Sequence, residues 1–62
     1  MAIDVSALGS IELSLEEVID RLREVSRDLD DDDEVGSELR EVERQLHMAF
    51  RRLEKATRRA IT

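Results

Sequence analysis

The sequence predicts an all-α protein: an antiparallel helical hairpin that completes its core by pairing with a second copy as a homodimeric four-helix bundle. Three observations lead there. Apolar residues recur at helical spacing in two stretches, Leu15 to Leu29 and Val35 to Ala60, with only an acidic run between them. Charged residues make up 42% of the chain and aromatic residues 2%, with no proline, which suits exposed helices held by a narrow apolar seam. Finally, a chain of 62 residues buries only about 60% of the surface it exposes when unfolded.

Small domains offset that shortfall with disulfides, a structural metal or oligomerisation. There is no cysteine, and His47 is the only histidine, too few ligands for a closed zinc site. Oligomerisation remains. No cofactor and no metal are expected.

The first helix is expected over about 14–29. Ser14-Leu15-Glu16-Glu17 reads as a capping box, with Glu17 reaching back to Ser14, and Leu13 and Val18 fit a hydrophobic staple around it. Leu15, Val18, Ile19, Leu22, Val25 and Leu29 then keep helical spacing. Residues 1–13 are left as an N-terminal arm, separate from a hairpin over 14–62. Ile3-x-Val5 and Ile11-x-Leu13 alternate like short strands. Leu8 and Ile11 also extend the seven-residue rhythm of Leu15 backwards, which would start the helix near Asp4 and carry it through Gly9. The cost of a helical glycine, about 1 kcal/mol against alanine, favours the later start.

Asp30 to Asp33 form the turn and offer several N-caps, with Asp31 and Glu34 as a capping pair. The second helix is expected over about 34–61. Its seam is Val35, Leu39, Val42, Leu46, Ala49, Leu53, Ala56 and Ala60, alternating by four and three. At 1.5 Å per residue the two helices would span roughly 24 and 40 Å. Leu53, Ala56 and Ala60 would then overhang, to be covered by the arm or by a second molecule. Self-association is expected to run through Leu39, Val42, Leu46, Phe50 and Leu53, with Leu15, Val18, Leu22 and Leu29 facing them.

Little here suits catalysis. There is no cysteine, tyrosine or tryptophan, and the carboxylates fall mostly on polar faces, so an enzyme is not expected. His47 reads as a surface residue with Glu43 one turn back. Six carboxylates between Asp28 and Glu34 invite comparison with a calcium loop. In the best alignment Val35 takes the position that needs glycine, so a solvated turn is the better reading.

Charge is divided along the chain. Residues 1–43 hold four Arg and fifteen Asp or Glu, a net of −11; residues 44–62 hold six Arg or Lys and one Glu, a net of +5. Arg44, Arg51 and Arg58 repeat every seven residues, with Lys55 and Arg59 close by. Such a stripe fits an acidic neighbour, which an antiparallel dimer would supply, or the phosphates of a nucleic acid. The overall acidity and the lack of interleaved aromatics weigh against nucleic acid.

The functional expectation is therefore a non-enzymatic protein–protein interaction module: an adaptor, a regulatory subunit or an assembly component. The alternative is a nucleic-acid-associated regulator using Arg44, Arg51, Lys55, Arg58 and Arg59. A heterologous helical partner fits the same apolar pattern. With no membrane span and no basic, apolar leader at Met1-Ala2-Ile3-Asp4, the expected location is cytoplasmic. The lysine-poor acidic composition would suit a salt-rich cytoplasm.

Overall fold

A computed structural model describes residues 3–30 and 32–61 as two helices, α1 (Val5–Arg27) and α2 (Glu34–Ile61), packed against each other as a hairpin. No strand occurs among the described residues.

The largest departure from expectation is at the start of α1. Residues 5–13 continue the helix, and the cap is Asp4 rather than Ser14. The Asp4 carboxylate accepts from the Ala7 N–H at 3.0 Å, and the Asp4 carbonyl accepts from the Leu8 N–H at 3.2 Å. Ser14 lies exposed in mid-helix. Extending the helix through Gly9 costs about 1 kcal/mol. It also brings Val5, Leu8 and Glu12, all half-buried, onto the contact with α2, and burying apolar side chains offsets more than that. The expected overhang disappears, because the added turns of α1 reach α2, where Glu12 meets Thr57.

The turn behaves as its acidic residues suggest. Leu29 donates its N–H to the Ser26 carbonyl at 3.1 Å as α1 ends. Asp33 then caps α2: its Oδ1 accepts from the N–H groups of Val35 at 2.8 Å and Gly36 at 3.3 Å. That satisfies two amides otherwise left without partners at a helix start. The expected Asp31–Glu34 pair falls on a position outside the described residues.

The seam between the helices follows a heptad on each. With Val5 and Gly36 as position a, α1 presents Val5, Glu12, Ile19 and Ser26 at a, and Leu8, Leu15 and Leu22 at d, with Leu29 continuing the d row just past its end. On α2 the a row is Gly36, Glu43, Phe50 and Thr57, and the d row is Leu39, Leu46, Leu53 and Ala60. Every one of these residues is buried or half-buried. The d row was legible in the spacing; the a row of α2 was not. Val35, Val42, Ala49 and Ala56, expected inside, are exposed.

The a rows mix polar and apolar groups, and the polar ones are satisfied. The Thr57 hydroxyl lies 2.7 Å from Glu12 Oε1 and 2.9 Å from the Leu53 carbonyl, and its single proton serves one at a time. The Ser26 hydroxyl donates to the Leu22 carbonyl within its own helix. Glu43 Oε1 accepts from Arg23 Nε at 2.6 Å. Among the described residues no buried side-chain polar atom lacks a partner. The hairpin is nonetheless thin: among the described residues Ile19 is the one buried apolar side chain.

Candidate functional site

The two long sides of the hairpin differ. Position e of both helices lies on one side, where Arg23 of α1 and Arg40 and His47 of α2 line one shallow groove of about 390 Å³ with Glu43, Arg44 and Met48. In an antiparallel pair the g rows must then share the opposite side. These rows are Ile11, Val18 and Val25 on α1, and Val35, Val42, Ala49 and Ala56 on α2. None carries a polar side chain. The five branched ones are between 42% and 60% exposed.

Together with the half-buried leucines of the adjoining d rows, these residues make a continuous apolar face on one side of the molecule. Single exposed apolar residues are ordinary, and Leu13 and Met48 are of that kind. Seven aligned positions flanking two rows of leucine are not ordinary, and faces of this kind mark interaction surfaces.

The expected self-association residues divide between the two settings. Leu15, Leu22, Leu29, Leu39, Leu46, Phe50 and Leu53 are half-buried between the helices, whereas Val18 and Val42 are exposed on the apolar face. Sequence reading missed Ile11 as a member of this face because the helix was not expected to reach it. Its place seven residues before Val18 was the available signal.

The basic residues lie elsewhere. Arg44, Arg51 and Arg58 occupy position b, away from the apolar face, with Lys55 at f and Arg59 at c; all five are exposed. Arg44 is engaged by Glu41, whose Oε2 accepts from Arg44 Nε at 3.2 Å. The bond from Arg44, then the one from Gln45, holds the Glu41 carboxyl below its usual range. Glu41 therefore favours the folded state above the ordinary carboxylate pKa, and this small contribution fades as the pH falls through its depressed value. His47 is half-buried rather than a plain surface residue.

Among the described residues no group of three His, Cys, Asp or Glu is placed to hold a metal ion. Two open depressions between the helices are lined in part by the ion-paired Arg23 and Glu43, and a third by Glu12, Glu54, Thr57 and Arg58. No helix among the described residues is long and apolar enough to cross a membrane.

The sequence matches no protein family, and no curated protein or solved structure matches it.

Proposed function

We propose that this chain is a non-enzymatic interaction module that works by self-association, two hairpins closing their apolar faces into a homodimeric four-helix bundle. The observation that carries this reading is the one-sided apolar face. Its extent agrees with the surface of the whole molecule. The accessible area is 5255 Å² for 7.2 kDa. A compact monomer of that mass exposes about 4,100 Å², so the excess is roughly 1,100 Å² per chain. A stable interface takes about 800 Å² from each partner. The shape agrees too: a radius of gyration of 14.5 Å compares with about 10.6 Å for a compact 62-residue domain.

The basic stripe stays outside this face and is the surface on which a nucleic-acid reading would rest. The net charge of −6 and the ion pair that already engages Arg44 place that reading second.

The test is light-scattering mass with circular dichroism on Val18→Asp and Val42→Asp, beside Leu13→Asp and Met48→Asp as somewhat more exposed controls off the face. The wild type and both controls should show the mass of two chains. The face variants should lose at least about 3 kcal/mol of dimer stability, because each would bury an unpaired carboxylate. A native mass for Val42→Asp would show that the face is not the interface.

A further inference from the structure

We infer that the second copy seats with its turn at the opposite end of the bundle, oriented by the division of charge along the hairpin. This rests on the self-association reading above and specifies how the two faces meet.

Two identical apolar faces can close around a two-fold axis in only two ways. If the axis runs along the helices, both turns lie at one end, and α1 of one copy lies beside α2 of the other. If it runs across them, the turns lie at opposite ends, and each helix lies antiparallel beside its own equivalent. Both arrangements bury the same apolar rows, so hydrophobic area does not choose between them. Charge does.

Every charged residue from Asp28 to Glu38 is acidic, seven in all: Asp28, Asp30 to Asp33, Glu34 and Glu38. Residues 51–59 hold five basic residues and one acidic. Turns placed together would crowd two such acidic segments at one end, whereas the two basic segments at the other would share it with the acidic start of α1, Asp4, Glu12, Glu16 and Glu17. Turns placed apart set each acidic segment beside the other copy's basic one.

The row bordering the apolar face says the same in detail. Position c on α2 reads Glu38, Gln45, Arg52, Arg59, acidic at the turn end and basic at the far end; all four are exposed. Run antiparallel beside itself, this row sets Glu38 level with Arg59 of the second copy, and Gln45 level with Arg52. In the other arrangement Glu38 meets Asp28, which continues the c row of α1 as its C-cap at the turn end, and two carboxylates face each other. Like charges set side by side at an interface disfavour the wrong orientation as strongly as opposite charges favour the right one.

The chain has no cysteine, so one thiol can be placed at will. A nitroxide on Asp32→Cys, in the exposed turn, reads the orientation by pulsed dipolar spectroscopy on the full chain, with mass measured in the same buffer. The hairpin is 47 Å long. Turns at opposite ends should give a label separation of roughly 40 Å or more, close to the length of α2. A two-chain mass with that separation supports the proposal. A two-chain mass with a separation under about 25 Å, as helix packing distances require for turns together, overturns the orientation and keeps self-association. A one-chain mass overturns self-association itself. In a second experiment at low salt, Glu38→Arg should weaken the dimer about five-fold, two exposed pairs being lost. Adding Arg59→Glu should restore it. Failure to restore overturns the Glu38–Arg59 pairing.

Discussion

Gly36 and Gly9 sit in the same kind of structure and carry opposite consequences. Gly36 is buried where α2 leaves the turn, and a Cβ there would lie 3.1 Å from the Asp30 carbonyl oxygen and 3.2 Å from Leu29 Cβ. Both obstacles are anchored to the main chain, so a branched side chain must push the turn away from the helix. Gly36→Val should cost more than about 1 kcal/mol. A Cβ on Gly9 would meet nothing within 4 Å. Gly9→Ala should therefore stabilise the chain by up to about 1 kcal/mol through helix propensity and a less flexible unfolded state. Gly9 is at position e, away from the apolar face, so that gain should come without a change of mass. Urea unfolding at one fixed chain concentration reads both. Nothing in the sequence of α2 accounts for Gly36, because the reason for it lies across the turn in Leu29 and Asp30.

At the level of elements, both helices and the acidic turn were legible, since spacing and caps are local signals. Asp33 shows how local. It receives two amides of α2, so Asp33→Ala should cost about 0.5–2 kcal/mol in urea unfolding. Asp32→Ala, a few ångströms away and exposed, should cost little. Two features were not legible. The start of α1 was obscured by Ser14, which satisfies every sequence rule for a cap, while the helix gains more by running on to Asp4 with Leu8 against α2. The rotation of α2 was hidden for a different reason. Most of its apolar residues occupy rows d and g, whereas the a row turned toward α1 has Phe50 as its one large apolar side chain among Gly36, Glu43 and Thr57. Reading apolar spacing alone finds the d row of the closing seam together with the face that remains open, and misses the a row. Val42 and Ala49 were thus expected in a seam, and the seam they suit is the one proposed between copies.

At the scale of the molecule, the hairpin is a rod of 47 × 15 × 14 Å with one dry side and one wet side. The wet side carries Arg23, Glu43 and His47; the dry side carries valine, isoleucine, leucine and alanine. Two layers of helix cannot enclose a core as a third or fourth layer does, and among the described residues Ile19 alone of the apolar side chains is buried. The contact between Glu12 and Thr57 has a consequence of its own. It joins residues 45 apart in the chain, whereas Arg23 and Glu43 are 20 apart. Closing the longer loop costs about 0.7 kcal/mol more in chain entropy. The hairpin therefore behaves as a zipper fastened at the turn, opening first where Thr57 meets Glu12. Amide hydrogen exchange, read residue by residue, should show protection falling from Leu22 and Leu46 toward Leu8 and Ala60. A second copy lying head to tail would set its own fastened end against this loose one. The slope should then flatten as chain concentration rises, each molecule serving as the clasp of the other.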